Sequence, residues 1–115
     1  MGPELLTLLV ASFTAELERR LSQVKAARAN ADLSTLAQEV HAIKGSAATF
    51  GAPALSALAL ILERAARSGE ADLAWGTLPD LLAVAEGTLA FLYQRLRGHP
   101  EVAGGEASAA GIQQP

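Results

Sequence analysis

The chain has 115 residues, of which 50% are apolar and only 4% aromatic, a composition that suits one helical domain with a single core and disfavours a β-sandwich. It contains no cysteine, which excludes disulfides, thiolate metal sites and thiol catalysis. The 12 acidic and 9 basic residues give a net charge of -3 without long runs of either sign, which argues against nucleic-acid binding and favours a protein partner.

The N-terminal segment lacks the features of a secretory signal. Residues 1–4 contain no basic start, and charged residues interrupt every apolar run before it reaches membrane-spanning length. We therefore expect a cytoplasmic protein that does not associate with a membrane.

The first predicted element is a long amphipathic helix from Glu4 to about Ala29, either continuous or bent. Asn30 and Asp32 then break the pattern and provide an N-cap for a second helix. The expected buried stripe of the first helix recurs at steps of three and four residues and consists of Leu6, Leu9, Phe13, Leu17, Leu21 and Val24.

The second helix should end at Gly51, after a stripe formed by Leu33, Leu36, Val40, Ile43, Ala47 and Phe50. Pro53 suits the first turn of a third helix, and Gly69 suits the left-handed position after its end. Because apolar residues surround almost the whole third helix, we expect it to lie centrally, with neighbours on several sides.

A fourth helix is predicted from the leucines between Leu78 and Leu96. Pro79 lies either in its first turn or at a kink in a helix that begins nearer Leu73. Short connections make consecutive helices antiparallel, so residues 1–97 are predicted to form an all-α, up-down-up-down four-helix bundle. Residues 98–115 are rich in Gly and Ala without periodicity, which predicts a disordered, flexible tail or a linker.

The most informative residue is His41, which a helical wheel places at the border of the second helix's buried stripe, turned outward. Residues three, four and seven positions away share its surface. They are small or polar: Ala37, Gln38, Lys44, Gly45 and Ala48. The imidazole should therefore stand on an open surface with a cation one turn away.

Gly45 is unusual because glycine inside a helix costs about 0.5–1 kcal/mol relative to alanine. The missing side chain leaves room for a phosphoryl group on the imidazole, to which Lys44 can donate charge-assisted hydrogen bonds. Histidine suits this task because its neutral form is a nucleophile near physiological pH. For these residues alone, an ordinary surface histidine beside lysine and glycine remains the alternative interpretation.

The chain resembles the histidine-containing phosphotransfer (HPt) family, four-helix modules that relay phosphoryl groups in multistep two-component signalling. The resemblance implies that His41 is the phosphoacceptor, that Lys44 assists as a nearby cation, and that Gly45 leaves room for the phosphoryl group. Glu63 matches the position that often hydrogen-bonds the imidazole. The residues that carry this resemblance are Asp32, Leu36, the run Val40-His41-Ala42-Ile43-Lys44-Gly45-Ser46-Ala47, then Phe50-Gly51-Ala52, Leu55 and Leu62-Glu63.

Spacing supports the pairing with Glu63. His41 lies nine residues before Phe50, and Leu62 lies nine after Pro53, so an antiparallel pair brings His41 and Glu63 to similar heights. A carboxylate that accepts from Nδ1–H leaves the Nε2 lone pair as the attacking atom. The alternative for Glu63 is a solvated carboxylate paired with Arg67 through i,i+4 spacing, and both interpretations stay open.

The predicted function is that of a histidine phosphocarrier, loaded from a receiver-domain aspartate or a histidine kinase and discharged to another receiver. The expected partner-binding residues are Ala37, Gln38, Ala48 and Arg67, with Gly45 beneath the partner. No metal site, cofactor or nucleotide site is predicted, and the resemblance assigns the magnesium to the receiver. We expect a monomer, and the sequence leaves open whether the module counts as an enzyme.

Two alternatives remain. One is a module of the same fold that only docks or dimerises without carrying phosphate. The other is the phosphoacceptor segment of a larger histidine kinase, with residues 98–115 as the start of a linker.

Overall fold

The computed structural model describes residues 2–97, and within them the chain forms four α-helices and no strand. The helices are α1 (Pro3–Ala29), α2 (Leu33–Thr49), α3 (Pro53–Arg67) and α4 (Ala71–Arg97). Connections of three residues join them, so consecutive helices run antiparallel in an up-down-up-down bundle. The predicted four-helix bundle is confirmed, whereas the predicted tail, residues 98–115, lies outside the described residues.

The helix ends coincide with the capping residues that the sequence offers. The Asp32 carboxylate accepts a hydrogen bond from the backbone N–H of Thr35 at 3.0 Å and so caps the start of α2. Gly51 and Gly69 follow α2 and α3 with φ of 71° and 74°, a left-handed conformation that costs glycine little. Each of these residues therefore helps to fix where one helix stops and the next begins.

The core is built from aliphatic side chains of all four helices, which are arranged in a ring. α1 and α3 each pack mainly against α2 and α4. Alanines that are fully buried, such as Ala47, Ala59 and Ala85, let neighbouring helices approach closely. The largest fully buried side chains are Leu36, Ile43, Leu55, Leu62, Leu78, Leu81, Val24 and Val40.

The expected central position of α3 is wrong. Like the other helices it has two main neighbours, and its Ile61 side chain is 46% exposed. The apolar pattern of α3 includes Ala54 and Ala57, which lie exposed on the surface. Because a single methyl group costs little in contact with water, alanines do not require a covering helix.

Pro79 lies inside α4, eight residues after its start at Ala71. The interpretation that placed Pro79 in the first turn is therefore wrong, and the earlier start of the helix is confirmed. Since proline has no N–H, the carbonyl of Trp75 loses its usual helical donor at this point.

The helices differ in length, and this leaves one end of the bundle uncovered. α1 and α4 have 27 residues each, whereas α2 has 17 and α3 has 15. The α2–α3 connection meets α1 at Phe13, whose ring stacks on Phe50 with centroids 4.5 Å apart. Leu6 and Leu9 lie beyond this point and are 56% and 41% exposed, although the sequence pattern predicts them to be buried.

Candidate functional site

His41 lies on the outer face of α2, and 60% of its side chain is exposed. Its neighbour Val40 and the nearby Ile43 belong to the core, so the buried stripe of α2 passes directly beside the ring. The helix thus holds the imidazole at the boundary between protein and solvent, where a group from outside can reach it.

Glu63 on α3 faces His41 across the α2–α3 interface. Its carboxylate oxygen Oε2 lies 2.9 Å from Nδ1 of His41, and only 10% of its side chain is exposed. The predicted match in height between the two residues is confirmed by this distance. The antiparallel pairing around the Gly51 turn therefore brings together two residues that are 22 positions apart in sequence.

Two cationic side chains also donate hydrogen bonds to the Glu63 carboxylate. Lys44 Nζ donates to Oε1 at 2.8 Å, and Arg67 Nε donates to Oε2 at 2.9 Å. Glu63 therefore makes both contacts that the sequence left as alternatives, one with the imidazole and one with Arg67. We call Glu63, His41, Lys44 and Arg67 the Glu63 cluster.

These donors lower the pKa of the Glu63 carboxyl from 4.5 to about 2. The hydrogen bond from Lys44 contributes most, those from Arg67 and His41 add to it, and the burial of the carboxyl acts in the opposite direction. Glu63 is consequently ionised at physiological pH.

An ionised carboxylate can only accept hydrogen bonds, and this assigns the tautomer of His41. At 2.9 Å from Glu63 Oε2, Nδ1 must be the nitrogen that carries the proton. In the neutral ring Nε2 then holds the free lone pair, on a side chain that is largely exposed to solvent.

Gly45 lies one turn after His41 and faces open space. A Cβ atom built at this position would meet no other atom within 4 Å, so the fold itself does not require glycine here. Alanine would therefore fit at this position and would favour the helix.

Most of the predicted partner-binding residues are accessible, with one exception. Gln38 and Ala48 are exposed on the same face as His41, and Arg67 is exposed while it holds Glu63. Ala37 is only 4% exposed and belongs to the core, so it does not lie on this open surface. Its single methyl group packs within the core instead.

Two contacts of Lys44 were not found from the sequence. The sequence pattern predicted that Lys44 contacts a phosphoryl group, whereas the structure pairs it with Glu63. In addition, Ser56 Oγ on α3 donates to the backbone carbonyl of Lys44 at 3.3 Å and ties the two helices together beside the site. Both contacts depend on the rotation of α3 against α2, for which the sequence carries no local signal.

Two kinds of feature are absent from residues 2–97. No helix in this range combines the length and apolar character needed to cross a membrane. No group of three or more histidine, aspartate or glutamate side chains in the same range is placed to hold a metal ion.

Comparison with known proteins gives one match. The family model for the Hpt domain matches residues 8–98, which include His41, Glu63 and nearly the whole bundle. No curated protein and no solved structure matches the chain. Since the family match spans most of the sequence and agrees with the bundle and the exposed histidine, the chain belongs to the Hpt domain family.

Proposed function

We propose that this domain is a phosphocarrier that accepts a phosphoryl group on Nε2 of His41 and exchanges it with the aspartate of a receiver domain. Membership of the Hpt family implies histidine phosphotransfer in phosphorelays as the general activity. The observation that carries the specific assignment is the contact between His41 Nδ1 and Glu63 Oε2 at 2.9 Å, on an imidazole that is largely exposed.

The transfer step follows from this geometry. The Nε2 lone pair attacks the phosphorus of an aspartyl phosphate, and the N–P bond forms while the P–O bond to the aspartate breaks. The electron pair of that bond returns to the aspartate carboxylate, and the Nδ1 proton stays on the ring. The ring gains positive charge as the bond forms, and the Glu63 carboxylate at 2.9 Å stabilises this charge.

Lys44 changes its partner in this proposal. A phosphoryl group adds a charge of about -2 close to the ring. Lys44 lies three residues after His41 on the same helix, and its flexible chain lets Nζ turn from Glu63 toward the phosphoryl oxygens. Arg67 and the imidazole continue to hold Glu63, so the cluster is rearranged without leaving the carboxylate unpaired.

The receiver docks on a strip of α2 that consists of Gln38, His41, Gly45 and Ala48, all of which are exposed. The strip carries no fixed charge and has little bulk around the histidine, so an acidic pocket can close over the ring. Arg67 of α3 borders the strip with positive charge while it holds Glu63, and Arg64 is exposed on the same helix. Their charge favours the approach of an acidic partner.

Receiver domains and histidine kinases are the partners that this role requires. We place the exchange in the cytoplasm, because a kinase that charges such a relay draws on ATP. The domain itself acts as a carrier whose contribution is the position and protonation of one imidazole.

The assignment of His41 is tested by transfer of labelled phosphoryl from a phosphorylated receiver. The chain has two histidines, so His99→Gln is a matched control for His41→Gln. The wild type and His99→Gln should acquire acid-labile label, whereas His41→Gln should acquire none. Label on His41→Gln would overturn the assignment.

The same experiment separates the phosphocarrier from a module that only docks. A docking module binds the receiver without ever carrying phosphate, and its affinity is the same after His41→Ala. Stable binding of a phosphorylated receiver to the wild type, with no label transferred, would favour that alternative.

A further inference from the structure

Ser56 is the only serine or threonine within α3. Residues 53–62 of this helix are otherwise alanine, leucine, isoleucine and proline. Inside a helix serine is less favourable than alanine, because its hydroxyl competes for backbone hydrogen bonds. The backbone of α3 therefore gains nothing from a serine at this position, and the role of the hydroxyl lies in the contact that it makes.

The Ser56 hydroxyl reaches across to α2. Its Oγ donates to the backbone carbonyl of Lys44 at 3.3 Å, and the Lys44 ammonium donates to Glu63 at 2.8 Å. Ser56 and Glu63 are seven residues apart, which is two turns, so they lie on the same face of α3. Through these two residues α3 holds Lys44 at both ends, at its peptide group and at its ammonium group.

The carbonyl that Ser56 contacts belongs to the peptide bond between Lys44 and Gly45. Glycine has more backbone freedom than any other residue, so α2 is easiest to deform at this peptide. A Cβ atom on Gly45 would meet no atom of another helix within 4 Å, so no packing on that side holds the peptide in place. Movement of this peptide would carry the root of the Lys44 side chain with it and change where its ammonium reaches.

We infer that Ser56 is a positioning residue, which fixes the Lys44–Gly45 peptide against α3. It keeps the Lys44 ammonium within reach of Glu63 before transfer and of the phosphoryl group on His41 after transfer. The part that concerns the phosphoryl group rests on the proposed function, whereas the part that concerns Glu63 applies to the unphosphorylated protein. Ser56 acts through Lys44 and touches no reacting atom.

The carboxyl group of Glu63 reports on the position of Lys44. The hydrogen bond from Lys44 is the largest of the effects that lower the pKa of Glu63 to about 2. Ser56→Ala removes the tie between the helices, so the Lys44 ammonium should spend less time on the carboxylate. The pKa of Glu63 should therefore rise from about 2 toward 4.5, as measured by ¹³C NMR of the unphosphorylated full chain. The ammonium protons of Lys44 should also exchange faster with water.

Thr49→Ala is the matched control. The Thr49 hydroxyl donates to the neighbouring carbonyl, that of Gly45, at 3.0 Å, but this contact stays within α2. The change therefore removes a hydroxyl from the same segment without loosening the segment from α3, and Glu63 should keep the pKa that it has in the wild type. Equal pKa values of Glu63 in the wild type and in Ser56→Ala would overturn the inference, as would an equal rise in both variants.

Transfer of labelled phosphoryl from a receiver tests the second part of the inference. Loss of one hydrogen bond should slow the labelling of Ser56→Ala about two- to tenfold relative to Thr49→Ala. Ser56→Thr keeps the hydroxyl and should restore both the rate and the pKa of Glu63. An unchanged rate in Ser56→Ala would overturn the role in transfer. A wild type that acquires no label would contradict the proposed function, while the pKa comparison would still decide whether Ser56 positions Lys44.

Discussion

In the proposed transfer, the chemistry of the site depends on Glu63. Its two oxygens accept hydrogen bonds from Lys44, Arg67 and His41, and the contact with His41 decides which imidazole nitrogen is free. A carboxylate held ionised by two permanent cations fixes the tautomer more firmly than an isolated carboxylate would. Lys44 and Arg67 therefore act on the histidine through Glu63.

Replacement of Glu63 by glutamine should release this control. An amide can either accept from Nδ1–H or donate to an unprotonated Nδ1, so Glu63→Gln no longer specifies the tautomer. We expect the ¹⁵N NMR signals of His41 to lose the Nδ1–H pattern and transfer to slow by about tenfold or more. Glu39→Gln is a suitable control, because Glu39 pairs with Arg20 and does not touch His41. Unchanged tautomer and rate in Glu63→Gln would contradict this role.

The lowered pKa of Glu63 also predicts a pH dependence of stability. The pKa is about 2 in the folded chain and about 4.5 without the cluster, so the contribution of Glu63 is complete above pH 4.5 and is lost as the pH falls toward 2. In urea unfolding between these pH values, the wild type should lose more free energy of unfolding than Glu63→Gln. Parallel pH profiles would show that the cluster does not stabilise the fold.

At the level of the helix, α2 combines a buried face with a reactive face. The stripe of Leu36, Val40 and Ile43 holds it in the bundle, while the adjoining strip carries His41 and Gly45 at the surface. Asp32 and Gly51 mark its two ends, and these signals lie in the sequence itself. The helix therefore positions the site without any specialised loop.

Gly45→Ala should separate stability from function. The space over Gly45 is open, so the added methyl group should stabilise the helix by about 0.5–1 kcal/mol. The same methyl group narrows the approach to His41, and transfer from a receiver should become slower. Thermal unfolding and transfer rates measure the two effects.

Gly76→Ala is the matched control for this change. Gly76 is also helical, exposed and free of neighbours within 4 Å, but it lies on α4. It should gain similar stability with no change in transfer. If the Gly45→Ala and Gly76→Ala variants accepted the phosphoryl group at the same rate, the need for space beside His41 would not explain the glycine at position 45.

At the level of the whole molecule, the bundle and the His41–Glu63 pair could be predicted because both follow from local patterns. Periodicity gave the four helices, and nine-residue spacings around the Gly51 turn gave the height of Glu63. The rotation of α3 against α2, which brings Lys44 to Glu63, depends on packing among all four helices. The burial of Ala37 and the exposure of Leu6 likewise depend on where neighbouring helices lie and end.

Adjacent residues of α3 test this description of the core. Leu62 is fully buried whereas Ile61 is 46% exposed. Leu62→Ala should lower the free energy of unfolding by about 2–5 kcal/mol through lost burial and a residual cavity. Ile61→Ala should cost about 1 kcal/mol or less, because much of its side chain already contacts water. Chemical denaturation gives both values, and similar losses would contradict the orientation of α3.

The central claim is that the Glu63 cluster prepares Nε2 of His41 to carry the phosphoryl group. Its most direct test is ¹⁵N and ³¹P NMR of the ¹⁵N-histidine-labelled wild type after phosphorylation by a receiver, with the scalar coupling locating the phosphorus. We predict a coupling to Nε2 of His41 and a proton retained on Nδ1. Phosphorus on Nδ1 of His41 or on His99 would contradict the claim.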